Sequence, residues 1–405
     1  MSTKKNKKRW TKFRHKIART IIAIVITPYI KIRYRIKIDK SLVDRKKQYL
    51  ILLNHQTPFD QFFVGMAIPG AIYYMATEDI FSKGIISKII KFLVAPIPIK
   101  KQTADVRAVL NCMKVANEGG KIAIAPEGNR TYSGRTGYMN PAIVPLVRKL
   151  GLPLALFRIE GGYGKEPRWS DVIRGGRMKA GVTRVLEPQE YVQMTDDELL
   201  FAIKSELYVD ESEVHGVYKS KKSAEYLERA IYTCPYHGLT ELYSRGTVVE
   251  CKRCGRKVVY TDTKSFVGLG FDFPFKNVGE WYDYQNNFIA SLDTREMREE
   301  PIYLDTGRFM RVIVYKRKEL IGRKVSIALF GDRVEIFWGE CEYVFPFDKT
   351  SAFTVLGRNK LNIYFGDEIY QIKGDKHFCA LKYVNLFHRY RNIQKGEKDG
   401  QFFGI

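Results

Sequence analysis

Asn54-His55-Gln56-Thr57-Pro58-Phe59-Asp60 decides how this chain is read. It follows an apolar run, Tyr49-Leu50-Ile51-Leu52-Leu53, that is short, lacks alternation and ends at a polar turn. Those are the marks of a buried parallel strand. Thr57 then Pro58 signals a helix start, a capping hydroxyl followed by proline at the first helical position. His55 thus stands on the strand-to-helix turn, with Asp60 in the helix's first turn. Inside one continuous helix the two would point to different faces. Across a turn they can meet. A carboxylate on one imidazole nitrogen fixes the tautomer and leaves the other nitrogen as a general base. The plainer alternative is that His55 satisfies a turn and Asp60 caps a helix, and for this block alone it prevails.

A second short apolar strand, Lys121-Ile122-Ala123-Ile124-Ala125, runs into Pro126-Glu127-Gly128-Asn129-Arg130-Thr131. A glycine turn after a strand lets the backbone approach a ligand, and strand ends of open α/β sheets are where ligands collect. Arg130 offers a planar fork of donors suited to phosphate. Glu127 cannot bind phosphate, so it is expected to orient Arg130 or to accept from a substrate hydroxyl. The alternative for this pair is a local ion pair that shapes the turn.

Together the two blocks resemble the glycerolipid acyltransferases of the lysophosphatidic acid acyltransferase type, which carry H-x4-D followed by P-E-G-x-R. The resemblance covers roughly residues 20–205. It implies an α/β acyltransferase domain with His55 and Asp60 catalytic and with Glu127, Gly128 and Arg130 at the substrate. Two further family blocks match less well. Relatives carry an arginine phosphate ligand after an apolar strand, where this chain has Pro96-Ile97-Pro98-Ile99-Lys100-Lys101. Lys100 is the expected substitute and Lys101 its competitor; lysine keeps the charge but loses the bidentate geometry. The last block keeps Pro153 and has Ala155 where a second proline is usual.

The implied chemistry is direct transfer of an acyl chain from a thioester, on coenzyme A or acyl carrier protein, to a lysophospholipid hydroxyl. The acceptor expected first is 1-acylglycerol-3-phosphate, giving phosphatidic acid. No cofactor is required for that step. General-base catalysis of this kind contributes about 10²–10⁴-fold in rate.

The charge distribution suggests where the chain works. Its formal charge is +24, and residues 1–47 hold 17 Lys/Arg against only Asp39 and Asp44. Such a segment is drawn to anionic lipid, at about 1 kcal/mol per basic residue near the surface. Nucleic acid would attract it too, but the adjoining apolar stretch Thr20–Ile30 favours a membrane. Eleven helical residues reach about 16 Å, too short for a hydrocarbon core of about 30 Å. No cleavage site follows, as a signal peptide would require. A short apolar helix with basic flanks describes a monotopic anchor on the cytoplasmic face of a membrane. An ordinary buried helix is the alternative.

Beyond residue 205 the pattern changes. Cys234-Pro235-Tyr236-His237-Gly238 and Cys251-Lys252-Arg253-Cys254-Gly255 are two matching turns. Cys234, His237, Cys251 and Cys254 have the number and spacing of a closed structural zinc site, with glycine after each pair permitting the knuckle. A disulfide reading leaves one cysteine unpaired. Cys112, Cys341 and Cys379 lie in apolar patterns and read as core residues.

The last hundred residues carry short alternating strands, 311–316, 324–330, 333–338, 342–347, 361–365 and 368–373. Gly331-Asp332 and Gly366-Asp367 serve as hairpin turns, and 377–391 has helical periodicity. That order resembles a pleckstrin-homology-type barrel.

The expected organisation is therefore 1–40 membrane-associating, 41–205 acyltransferase, 206–230 helical linker, 231–262 zinc ribbon, 263–308 linker, and 309–398 a β domain with a closing helix. The competing reading is an inactive acyltransferase fold, used as a zinc-ribbon protein that binds nucleic acid or a partner. Intact H-x4-D and P-E-G-x-R blocks favour the enzyme.

Overall fold

The computed structural model describes residues 9–99, 105–313 and 316–396. The chain divides into two compact units. The first holds the chain up to Gly128, Met139–Glu160 and Met178–Val209; the second holds Asn129–Tyr138, Gly161–Arg177 and the chain from Asp210. The acyltransferase-like sequence therefore contributes two segments to the second unit, and the units do not divide at residue 205.

The first unit is built on a seven-stranded sheet. Its strands are β1 (Ile36–Asp39), β2 (Leu50–Leu53), β3 (Ile72–Thr77), β4 (Ile97–Ile99), β5 (Lys121–Ile124), β6 (Leu154–Glu160) and β7 (Met178–Leu186). They lie in the order β1-β7-β6-β2-β5-β3-β4. Every neighbouring pair is parallel except β6 and β7. Strand β2 runs through the middle with all four residues buried, as its uninterrupted apolar run requires. Leu50, Leu52, Ile122, Ile124, Leu154 and Leu156 pack against Cys112, Val115, Val144, Val147, Leu199 and Ile203. Those partners belong to helices Val106–Asn117, Ile143–Leu150 and Asp196–Leu207. The last begins with a reciprocal cap between Thr195 and Glu198, which satisfies two otherwise orphaned amides.

The apolar stretch at Thr20–Ile30 lies within a longer helix, Phe13–Tyr34, with Pro28 inside it. One side is docked: His15, Ala18, Ile30 and Tyr34 are buried, and His15 Nδ1 lies 3.1 Å from the Tyr73 hydroxyl. The other side exposes Phe13, Ile17, Ile21, Ile24, Val25, Tyr29 and Ile32. Among the described residues no helix is long and apolar enough to cross a membrane. The sheet also starts before residue 41, because Ile36–Asp39 pair with Met178–Gly181.

The second unit opens with a small hairpin, β8 (Thr233–Cys234) and β9 (Gly238–Leu239). An antiparallel sheet follows, of β10 (Leu242–Arg245), β11 (Val248–Cys251), β12 (Lys257–Tyr260) and β13 (Phe266–Gly268). The expected helical linker 206–230 holds no α-helix past Leu207, only a tight turn at Leu227–Arg229. Burial of Ala224, Leu227, Ala230 and Ile231 orders it instead. Nor is 263–308 a linker. It contains β13 and helix Val278–Ser291, whose Trp281, Gln285 and Ile289 are buried at helical spacing. Phe266, Phe273 and Phe275 cluster around Trp281.

A second seven-stranded sheet is wholly antiparallel and is followed by helix Ala380–Lys395. Its strands are β14 (Tyr303–Ile313), β15 (Arg317–Leu329), β16 (Arg333–Trp338), β17 (Cys341–Pro346), β18 (Thr350–Leu356), β19 (Lys360–Phe365) and β20 (Glu368–Gly374). Strand β18 was not expected, because its burial is nearly continuous and so lacks alternation. The turns at Gly331-Asp332 and Gly366-Asp367 fall where expected. Cys112 and Cys379 are buried, whereas Cys341 starts edge strand β17 and is exposed.

Segments Asn129–Tyr138 and Gly161–Arg177 are bound into the second unit by polar contacts. The Gly161 N–H donates to Glu211 Oε1 at 2.6 Å, and the Tyr163 hydroxyl donates to the Tyr132 carbonyl at 3.0 Å. Arg229, 1% exposed, donates to both oxygens of Asp171 at 2.7 and 3.2 Å and to the Trp169 carbonyl at 2.8 Å. Arg358 donates to Glu166 at 2.7 Å.

Candidate functional site

Strands β2 and β5 lie side by side in register, Leu50 against Ile122 and Leu52 against Ile124. The turns that leave their carboxyl ends are therefore adjacent, and these carry His55 and Glu127. Helix Asp60–Ala67 begins at Asp60 itself, not at Thr57-Pro58. The carboxylate, not the Thr57 hydroxyl, organises the turn. Asp60 Oδ1 accepts from the Thr57 N–H at 2.9 Å and from the Thr57 hydroxyl at 2.7 Å. Asp60 Oδ2 accepts from the Gln56 N–H at 2.8 Å and meets His55 Nδ1 at 2.7 Å. Asp60 is 1% exposed. A buried carboxylate requires that many donors, since an unpaired one would cost several kcal/mol.

The imidazole is consequently fixed. With the Nδ1 hydrogen directed at Asp60, Nε2 carries the lone pair, and the ring is partly open to solvent. Glu127 fastens the turn from the other block: its Oε1 accepts the backbone N–H of His55 at 2.7 Å. That bond adds a third role to the two expected of Glu127. Gly128 has φ +69°, the left-handed region in which glycine has no steric penalty. Its N–H donates to the Ala125 carbonyl at 3.0 Å, closing the turn.

Asn54 is a positioning residue of this turn that pattern reading passed over. Its Nδ2 donates to the Ile159 carbonyl at 2.8 Å and its Oδ1 accepts the Ile159 N–H at 2.7 Å. A side chain thereby continues the β2–β6 pairing by one step beyond Leu53. The signal was an amide-bearing residue placed directly after four buried apolar ones.

The structure thus brings His55, Asp60, Glu127 and Gly128 together in the first unit. Arg130 belongs to the second unit, where its carbonyl accepts from Arg168 at 2.9 Å. Lys100 and its competitor Lys101 lie outside the described residues.

Residues 35–158 match the family model described as Acyltransferase. The chain carries an acyltransferase domain. Both its H-x4-D block at His55 and Asp60 and its P-E-G-x-R block at Pro126–Arg130 lie within that match. Among solved structures, the acyltransferase chain is similar to the 1-acyl-sn-glycerophosphate (LPA) acyltransferase PlsC of Thermotoga maritima. That likeness has 15% identity and a TM-score of 0.41, covering 48% of this chain and 78% of that one. The acyltransferase chain is also similar to the N-terminal PH domain of human ARAP2, with 11% identity and a TM-score of 0.19, covering 24% of this chain and 87% of that one. No curated protein matches it.

A second cluster lies within the second unit of the chain. One ligand atom from each of Cys234, His237, Cys251 and Cys254 falls within 4.8 Å of all the others. Cys234 and His237 come from the β8–β9 hairpin, while Cys251 ends β11 and Cys254 lies in the turn before β12. Gly238 and Gly255, directly after each pair, have φ +66° and +69°. A Cβ on Gly238 would also lie 2.3 Å from the Phe288 ring. Thiol and imidazole groups in this number and closeness fit a tetrahedral metal ion.

Proposed function

We propose that this acyltransferase moves an acyl chain from a thioester to the hydroxyl of a lysophospholipid at a membrane surface, with His55 as general base. The observation that carries the reading is the 2.7 Å contact between His55 Nδ1 and a buried Asp60 whose other bonds hold it still. As the acceptor oxygen bonds to the thioester carbonyl carbon, its proton passes to His55 Nε2. The carbon–sulfur bond breaks and the leaving thiolate takes that proton, so the imidazole ends as it began. Asp60 holds the tautomer and Glu127 the backbone of the turn, so the base is in place before substrate arrives.

The proposed acceptor is 1-acylglycerol-3-phosphate, its phosphate held by Arg130 and Lys100, and the donor is the acyl thioester of coenzyme A or of acyl carrier protein. The basic amino-terminal segment and the exposed stripe of helix Phe13–Tyr34 fit an anchor in the interface of an anionic membrane. The cysteine–histidine cluster is proposed to hold one zinc ion. Cys234, Cys251 and Cys254 would supply thiolates and His237 an imidazole, leaving no ligand position for water and hence a structural role.

Purified protein incubated with labelled acyl-thioester and a panel of lysolipids tests the reading by product mass. A labelled diacyl phospholipid, formed from the phosphomonoester acceptor in preference to others, is expected. No product from any lysolipid, with folded protein and both donor types, would sink the proposal.

A further inference from the structure

Helix Ile85–Leu93 is built inside out. Its single hydroxyl faces inward: the Lys83 N–H donates to Ser87 Oγ at 2.8 Å, and Ser87 Oγ donates to the Ile80 carbonyl at 2.8 Å. Ser87 is the one buried residue of the helix. The apolar side chains point the other way, with Ile85, Ile86, Ile89 and Phe92 exposed by 73, 54, 51 and 55%. At spacings i, i+1, i+4 and i+7 they share one face. Scattered exposed apolar residues are ordinary, but a contiguous set of this size marks an interaction surface.

What it meets is indicated by its surroundings in the same unit. Arg14 Nε donates to the Phe92 carbonyl at 3.0 Å, and the guanidinium lies 4.0 Å from the centroid of the Phe92 ring. Helix Ile85–Leu93 therefore touches helix Phe13–Tyr34, which bears its own exposed apolar stripe. Lys88 and Lys91 are exposed on the former helix, and neither helix contains an acidic residue. An apolar face flanked by the cations of its own helix is complementary to a bilayer with anionic head groups. A second copy of this chain would set like charge against like.

We propose that helix Ile85–Leu93 is a second membrane-inserting element, entering the same leaflet as helix Phe13–Tyr34, with Lys88, Lys91 and Arg14 at the head groups. The inference rests on the membrane-surface reading above and deepens it. One helix holds a domain to a membrane but lets it roll about the helix axis. Two in contact, one of them between β3 and β4 of the catalytic sheet, fix its orientation. An acceptor held in that leaflet then meets the first unit in one pose.

The test uses the full chain with phosphatidylcholine–phosphatidylglycerol vesicles, in Ile89→Trp and Ile24→Trp variants. Lipids brominated near the head-group end of the acyl chain should quench both added tryptophans beyond the parent signal. Ile89→Asp should weaken vesicle binding on the order of tenfold with an unchanged circular dichroism spectrum. Quenching at position 24 without quenching at 89 would overturn the inference while leaving the amino-terminal anchor standing. No quenching at either, with no vesicle binding, would remove the membrane reading itself. Lipid-independent, concentration-dependent burial of Trp at position 89 would assign the face to a second copy and overturn it equally.

Discussion

The His55 turn of the first unit and the cysteine–histidine cluster of the second are both small polar sites, yet different forces hold them. Around His55 every group is tied by the protein itself. Asp60 has four donors, Glu127 takes a backbone amide, and Asn54 is paired on both sides. In the cluster three thiols and an imidazole converge on one another, Cys234 Sγ and His237 Nδ1 being 3.6 Å apart. The first site is preorganised by strand adjacency and backbone amides. The second has the donor set of a metal site, which an ion would complete. Catalytic groups gain from being fixed beforehand, while a structural metal site gains from being completed by its ligand.

That contrast can be broken first at the metal. Chelation, or Cys251→Ser, should release close to one zinc per chain and disorder β8–β12, read as new protease cleavage between residues 231 and 262. Acyl transfer should survive in part. An ordered ribbon in metal-free protein would show that the cluster needs no ion.

The second largest effect is expected at the base. His55→Ala should lower turnover by about 10²–10⁴-fold with unchanged thermal stability, and Asp60→Asn should fall within the same range. Turnover like the parent's in the His55 variant would leave the preorganised site without a task.

A third measurement asks how firmly Gly161–Arg177 is held in the second unit. Arg229→Ala removes a buried guanidinium, leaving Asp171 to Arg358 at 3.6 Å, and should cost about 3 kcal/mol in chemical denaturation. A loss under 1 kcal/mol would make the Asp171 pair a surface-like contact.

pH provides the fourth. Burial, with Arg391 and Lys395 nearby, pushes the His388 imidazole down to about 4 from 6.5. The unfolded chain therefore binds the proton that the folded chain refuses between those values. Stability contributed by neutral His388 is complete above pH 6.5 and is lost as pH falls toward 4, by at most about 3 kcal/mol. His388→Leu should flatten that part of the profile, and an unaltered profile would discount the burial.

The smallest effect expected is at Glu127. Glu127→Ala removes a charged acceptor from the His55 N–H and should reduce kcat roughly tenfold with little change in KM. A change confined to the KM of the lysolipid would make Glu127 a substrate ligand instead.

What was legible in the sequence was whatever short-range chemistry specifies. An unbroken apolar run announced β2, glycine after each ligand pair announced the knuckles, and paired Gly-Asp turns announced two hairpins. The H-x4-D spacing allowed His55 and Asp60 to meet across a turn, and they do. Wrong or missing were the features that depend on burial from elsewhere. Strand β18 hides because both its faces are covered, and 263–308 reads as a linker because its aromatic residues lack a period. Ser87 and its isoleucines look like an ordinary core helix until their facing is known.

By itself, then, the sequence determined the candidate reacting groups and the local turns that carry them. Only the tertiary structure decided that Glu127 would hold the His55 amide, since that bond requires β2 and β5 to be neighbours. It alone decided that Asn129–Tyr138 and Gly161–Arg177 would leave the catalytic sheet for the second unit. Chain-distant pairing of this kind is set by which apolar faces and buried charges find each other in the folded whole, and no window of sequence contains both partners.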